Sequence, residues 1–181
     1  MDLIFDIGMF DGSDTIYYLR EGFRVVAIEA NPALVERVRG ELSSYIASGQ
    51  LTIINAALSD GEAEVTLHVS GDDLGSSSLD PAAIATRNPI GTYSVRGVTL
   101  PELISEFGVP HYLKVDAEGA DRYCILPVTA DQRPNYLSFE AGPDMTELVD
   151  HATRVGYPGC SRRSGNAIFA RSTAKRWSGI A

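Results

Sequence analysis

The most constraining feature of this sequence is a regular alternation of short apolar runs with amphipathic, capped segments. The apolar runs have the length of buried strands and lie at residues 3–7, 24–30, 51–58, 111–119, 135–142 and 166–171. Helix-like segments lie between them, at residues 12–21, 31–47, 98–108, 120–129 and 144–157. This alternation predicts an α/β fold with a mostly parallel sheet and helices on both of its faces.

Composition limits the class of protein. The chain has 181 residues, of which 44% are hydrophobic, and this predicts a single domain (1–181) with one core. Its net charge of -9 disfavours binding to nucleic acid, which would require a basic face. The sequence shows neither an apolar run of membrane-spanning length nor a signal peptide, and its two cysteines lack a metal-binding spacing. We expect a cytoplasmic protein that contacts no membrane, and its oligomeric state stays open.

One stretch departs from the alternation. Residues 63–69 alternate like a hairpin strand, and residues 70–94, rich in Gly, Ser, Asp and Pro, follow them. We predict a loop insertion at about 70–94. It is either a surface insertion or a lid over a substrate, because long loops in compact domains are commonly functional.

The loop after the first strand indicates the kind of ligand. Its glycines, Gly8 and Gly12, lack the G-x-G-x-x-G spacing of dinucleotide-binding loops, and the carboxylates of Asp6, Asp11 and Asp14 would repel a pyrophosphate. Glu29 ends the second strand, where a carboxylate can accept hydrogen bonds from both ribose hydroxyls. These features predict a ligand with a ribose and a positive charge but no phosphate. S-adenosyl-L-methionine fits this description.

Six blocks of the sequence resemble, in order, those of the FkbM family of S-adenosylmethionine-dependent methyltransferases. They read FDIGMFDGSDT, VVAIEANP, INAALSDGEAEVTLHV, GSSSL, VTLPELISEFG and YLKVDAEGAD. The resemblance implies a Rossmann-like class I fold with a seven-stranded sheet and an antiparallel last strand. It also implies methyl transfer to a hydroxyl of a sugar, glycan or natural product.

The resemblance also implies roles for individual residues. It places the cofactor at Asp6, Gly8, Gly12, Glu29, Asn31 and Ala57, with Asp116 at the tip of a strand beside the methyl group. Asp11, a carboxylate of the same glycine loop, is a further candidate cofactor residue. The chain departs from the family at residues 9–11, Met-Phe-Asp, and it lacks the N-terminal segment of many members, so we expect something close to a bare catalytic core. The alternative is a non-catalytic S-adenosylmethionine-binding scaffold or regulatory domain.

The catalytic candidates are carboxylates at strand ends. Asp116 and Glu140 should end adjacent strands, and Asp116 is the preferred general base, with Glu140 and His68 as further candidates. Asp116, Glu118 and Glu140 together could hold a divalent cation, but their spacing is not diagnostic and we expect no metal. Lys114, unusual inside a strand, should form a structural ion pair with one of these carboxylates.

Overall fold

A computed structural model describes residues 1–117, 119–140, 142–163 and 166–171. Its strands, in chain order, are β1 (Leu3–Ile7), β2 (Arg24–Glu29), β3 (Leu51–Asn55), β4 (Ala57–Leu58), β5 (Glu64–Ser70), β6 (Pro89–Val98), β7 (Tyr112–Val115), β8 (Tyr136–Glu140), β9 (Cys160–Arg163) and β10 (Asn166–Ala170). Seven of them form one sheet in the order β3-β2-β1-β7-β8-β10-β9. The pairs from β3 to β8 are parallel, and β10 is antiparallel to both of its neighbours. The predicted seven-stranded sheet with an antiparallel last strand is confirmed.

Helices cover both faces of this sheet. They are α1 (Ser13–Arg20), α2 (Pro32–Glu41), α3 (Ser43–Ala47), α4 (Pro81–Ile84), α5 (Leu100–Phe107), α6 (Asp121–Ile125) and α7 (Met145–Arg154). Successive side chains of β1 point to opposite faces, so Phe5 packs in one core cluster with α5, α6 and α7, whereas Ile4 packs in the other with α1 and α2. Both side chains are fully buried, which contributes about 1.5–3 kcal/mol each.

Three predicted segments differ in the structure. The predicted strand at 51–58 divides at Ala56: β3 joins the large sheet, and β4 joins a second sheet of order β4-β6-β5. The predicted loop at 70–94 is wrong for residues 89–94, because β6 starts at Pro89 and pairs antiparallel with β5. The predicted helix at 31–47 breaks at Leu42 into α2 and α3.

We call residues 71–88, which connect β5 to β6, the cover segment. It contains a 3₁₀ turn (Leu74–Ser76) and α4. Backbone hydrogen bonds in both directions join Ser78 to His68 at 2.9 and 3.0 Å, and the Arg87 side chain donates to the Ser76 carbonyl at 3.1 Å. The cover segment is therefore fastened to the small sheet.

None of the helices within the described ranges is both long and apolar enough to span a membrane.

Candidate active site

A cleft opens at the carboxyl ends of β1, β2 and β7, beneath the cover segment. Ile28, Ala57 and Leu34 are among the apolar residues that line it. Of its lining residues that the structure describes, only Glu29 and Asp116 are charged, and both are acidic. The cleft is therefore suited to a partly apolar ligand that carries hydroxyl groups or positive charge and no phosphate.

Gly8 brings β1 and β7 together at the floor of the cleft. Its φ is +79°, and a Cβ atom at this position would lie 1.8 Å from the backbone oxygen of Asp116. Its amide donates to the Ile28 carbonyl at 2.9 Å, so the loop is attached to β2 as well. Only glycine fits, because both the backbone angle and the close approach exclude a side chain.

Lys114 on β7 is the cation that pairs with the carboxylates around the glycine loop. Its Nζ lies 3.2 Å from Asp6 Oδ1, 3.5 Å from Asp14 Oδ2 and 3.8 Å from Asp116 Oδ2, and it donates to the Gly8 carbonyl at 3.0 Å. Burial alone would lower the pKa of Lys114, but the charges of the three carboxylates outweigh burial and hold this pKa above its ordinary value. The expected ion pair thus exists with Asp116, although the nearest partner is Asp6.

Asp6 supports the loop and is shut off from the cleft. It is completely buried, and its Oδ2 accepts a hydrogen bond from the Thr15 hydroxyl at 2.6 Å. Burial raises the pKa of this carboxyl, and the charge of Lys114 opposes the rise. Asp6 therefore contributes to a cofactor site through the shape of the loop.

Glu29 is held in place at the other side of the floor. Its Oε2 accepts from the Phe10 amide at 2.9 Å, and its Oε1 accepts from the Asn31 amide at 2.7 Å. The Asn31 side chain in turn caps α2 through the Ala33 amide at 3.0 Å. Burial raises the pKa of the Glu29 carboxyl above its ordinary range. The result is a fixed, largely desolvated acceptor, and Asn31 acts by positioning it.

The remaining predicted cofactor residues separate into two groups. Ala57 lines the cleft. Asp11 is exposed and accepts from the Ser13 amide at 2.9 Å, which shapes the start of α1. Hydrogen bonding to the Ser13 hydroxyl, followed by that to the Ser13 amide, lowers the pKa of the Asp11 carboxyl. Gly12 packs on α2, since a Cβ there would lie 3.0 Å from Val38 Cγ1. Asp11 and Gly12 thus form the outer part of the loop and are not among the residues that line the cleft.

Three carboxylates lie at or just after the ends of β7 and β8, and one of them, Asp116, lines the cleft. Asp116 and Glu140 follow and end the adjacent strands β7 and β8, as predicted, and the Asp116 side chain is 50% exposed. Sequence reasoning missed Asp121, the first residue of α6, although the spacing from Asp116 in DAEGAD was available as a signal. Its Oδ1 is buried without a hydrogen-bond partner in the described part of the chain. Burial, followed by the charges of Asp116 and Glu140, raises the pKa of Asp121 to about 6.

Two further candidates fall elsewhere. His68 follows Leu67, which lines the cleft, so the alternation of β5 points the His68 side chain to the opposite face. Glu118, one of the three alternative metal ligands, lies outside the described residues. Within the described ranges, no three His, Cys, Asp or Glu side chains are grouped so as to hold a metal ion.

The sequence predicted a loop or lid at about 70–94, but not the contact that closes it over the cleft. The Phe10 ring lies against Gly75, where a Cβ atom would come within 2.9 Å of Phe10 Cε2. Leu74, Ser77 and Ser78 continue the same wall. With this cover in place the cleft has a volume of ≈ 100 Å³, well below the roughly 300–1,000 Å³ of ordinary ligand pockets.

Solved structures with the same architecture define the class. The chain is similar to a methyltransferase FkbM from Methylobacillus flagellatus, with a TM-score of 0.59 and 15% identity. The alignment covers 93% of this chain but only 43% of the Methylobacillus protein, so this chain spans less than half of that protein's length. It is also similar to a precorrin-6Y C5,15-methyltransferase from Geobacter metallireducens (TM-score 0.53, 14% identity), with coverage of 94% of this chain and 80% of the other. The C-terminal domain of the corresponding Rhodobacter capsulatus enzyme gives a TM-score of 0.51 at 10% identity, with coverage of 94% and 79%. The fold is that of the class I methyltransferases.

The family follows from the sequence itself. The profile of the methyltransferase FkbM domain matches residues 6–157, which is most of the chain. The chain therefore belongs to the FkbM methyltransferase family. Comparison with curated proteins gives no match.

Proposed function

We propose that this domain transfers a methyl group from S-adenosyl-L-methionine to a hydroxyl of a sugar, glycan or natural product. The observation that carries the proposal is the charge of the cleft. Its described lining holds two acidic side chains, Glu29 and Asp116, and no basic one. Membership in the FkbM methyltransferase family supports the same reaction class.

The cleft fits this cofactor better than a dinucleotide. Glu29 offers a desolvated carboxylate to the two ribose hydroxyls, and the apolar surface of Ile28, Ala57 and Leu58 suits an adenine ring. A pyrophosphate would meet acidic groups with no basic side chain among the described lining residues. Bound S-adenosyl-L-methionine supplies an electrophilic methyl group on a positively charged sulfur, which becomes a neutral thioether after transfer.

We assign Asp116 the role of general base. It lines the cleft, and its half-exposed carboxylate is accessible to an acceptor that enters from solvent. The Asp116 carboxylate would accept the proton of the acceptor hydroxyl as that oxygen takes up the methyl group, with the neutral thioether as the leaving group. Lys114, 3.8 Å from Asp116 Oδ2, helps to fix the orientation of this carboxylate.

Cofactor entry requires the cover to open. A cleft of ≈ 100 Å³ is too small for a ligand with a sugar, a base and an amino-acid chain. Phe10 and the 3₁₀ turn at Leu74–Ser76 are the parts that must separate, because the Phe10 ring against Gly75 closes the wall. We therefore infer that the cover segment acts as a lid and that binding of the cofactor moves it.

The alternative, a scaffold that binds S-adenosyl-L-methionine without turnover, is favoured by Phe10, since a bulky side chain occupies the loop beside Glu29. Incubation with methyl-labelled cofactor and a panel of hydroxylated glycans and secondary metabolites separates the two functions. If the domain is an enzyme, the wild type should form labelled product. The rate of product formation should fall by at least roughly a hundredfold in Asp116→Asn and stay unchanged in the control Asp150→Asn, which alters an exposed carboxylate. Cofactor binding without product from any acceptor supports the scaffold.

A further inference from the structure

A second pocket lies at the amino-terminal edge of the large sheet, opposite the cleft. It has a volume of ≈ 380 Å³. Arg24 begins β2, Arg133 and Asn135 precede β8, and Arg171 follows β10. Because β10 runs antiparallel to β8, its carboxyl end reaches the same edge as the starts of the parallel strands. The topology thus gathers three arginines from distant parts of a chain whose net charge is -9.

The hydrogen bonds of these arginines go to neutral acceptors. Arg24 donates to the Phe107 carbonyl at 3.0 Å, Arg133 to the Ala130 carbonyl at 2.7 Å, and Arg171 to Asn135 Oδ1 at 3.4 Å. These bonds hold the side chains in place and, within the part of the chain that the structure describes, bring no negative charge to them.

Acidic groups near the arginines are scarce. Asp2 is the single acidic residue in the described lining, and its side chain is 68% exposed, 3.8 Å from His111 Nδ1. Within the described ranges, none of the three arginines forms an ion pair with a carboxylate. Residues 172–181 contain no Asp or Glu.

Two of the guanidinium groups are also partly withdrawn from water. The Nε atoms of Arg133 and Arg171 are buried and have no hydrogen-bond partner among the described residues. The Arg133 guanidinium is packed against Gly156, where a Cβ atom would lie 3.3 Å from Arg133 Cζ. A charge held half-buried and unpaired is costly, and a bound anion would remove this cost.

We propose that this pocket binds a small polyvalent oxyanion that carries phosphate or carboxylate groups. The planar fork of an arginine matches both groups, and the Asn135 side chain, which accepts from Arg171 at 3.4 Å, lines the same pocket as a further polar group. The site is separated from the cleft by the length of the sheet, so its ligand is distinct from the methyl donor and acceptor. The inference does not depend on the proposed methyl transfer.

Titration of the wild-type protein with pyrophosphate, and separately with citrate, tests this site. Backbone amide NMR at constant ionic strength should show saturable shifts at Asn135, Tyr136 and Arg171, with residues of the cleft unaffected. Saturation by pyrophosphate alone assigns a phosphate ligand, and saturation by citrate alone assigns a carboxylate ligand. Shifts that fail to saturate, or that are confined to the cleft, would overturn the proposal.

A double variant adds a quantitative test. Arg133→Gln combined with Arg171→Gln should weaken anion binding at least tenfold, because both uncompensated charges are removed. The control is Arg37→Gln, an exposed arginine on α2 whose contact with Glu41 is 4.0 Å long. Equal affinity in the double variant and the control would refute the site. If the double variant does not fold, the wild-type titration decides the question alone.

Discussion

Comparing Gly8→Ala with Gly49→Ala should separate two contributions to the loss of stability, backbone strain and steric overlap. Gly8 and Gly49 have nearly the same left-handed backbone, with φ of +79° and +77°, but a Cβ atom at Gly49 meets nothing within 4 Å. Gly49→Ala therefore carries only the strain of a left-handed alanine, about 1–2 kcal/mol. It is the matched control for Gly8→Ala.

The additional cost at Gly8 follows from the structure. The new Cβ atom would lie 1.8 Å from the Asp116 oxygen, whereas close carbon–oxygen contacts in proteins begin near roughly 3.3 Å. The loop and the end of β7 must move apart, and an overpacked site costs about 1–3 kcal/mol beyond strain. We expect Gly8→Ala to lower the free energy of unfolding by about 2–5 kcal/mol in urea denaturation. Equal losses in the two variants would refute the close approach of the loop to Asp116.

Three further predictions concern the charges and the cover. Lys114→Met should destabilise the protein by about 3–5 kcal/mol in urea denaturation, because the buried Asp6 carboxylate loses its partner. Adding Asp6→Asn to Lys114→Met should restore part of this stability, and a double variant no more stable than Lys114→Met would contradict the pairing. Since folding raises the pKa of Asp121 from 3.8 to about 6, the contribution of this carboxyl to wild-type stability should fall as pH rises through this window. Asp121→Asn should therefore gain up to about 3 kcal/mol in thermal unfolding at pH 8 and nothing at pH 3, and a gain that is independent of pH would be inconsistent with this shift. Hydrogen exchange in the cover segment should change when S-adenosylhomocysteine is added, and exchange that stays constant would argue against a lid.

Strands that consist of a short, mostly apolar run bounded by turn residues were predictable from the sequence. The bounds predicted for β1 agree with the structure because a run that is apolar except for Asp6 precedes Gly8, and every side chain of β1 is buried. The end of β8 beside β7 was also predicted, since sequential strands in such sheets pair in parallel. Local patterning therefore sufficed for most of the large sheet and for the positions of Asp116 and Glu140.

The small sheet could not be predicted in the same way. β6 begins with Pro89 and contains Gly91 and Gly97, and its first six residues are exposed, so its composition is that of a loop. It becomes a strand because it pairs with β5 over seven residue pairs. That stabilisation is non-local and leaves no periodicity in the sequence.

Two features of the candidate site were hidden for a similar reason. The nearest partner of Lys114 is Asp6, 108 positions away in the sequence, and only the pairing of β1 with β7 brings them together. The contact of Phe10 with Gly75 likewise depends on how the cover segment folds back. The sequence indicated candidate residues, and the three-dimensional pairing showed which of them support the loop rather than line the cleft.

The central claim is that the cleft binds S-adenosyl-L-methionine through Glu29. Calorimetry with S-adenosylhomocysteine should show binding to the wild type, and NAD should give no detectable heat. Glu29→Ala should weaken binding by about 1.5–3 kcal/mol, whereas Glu36→Ala, a control at a glutamate whose side chain is 74% exposed, should leave it unchanged. Tighter binding of NAD than of S-adenosylhomocysteine, or equal affinities in wild type and Glu29→Ala, would contradict the claim.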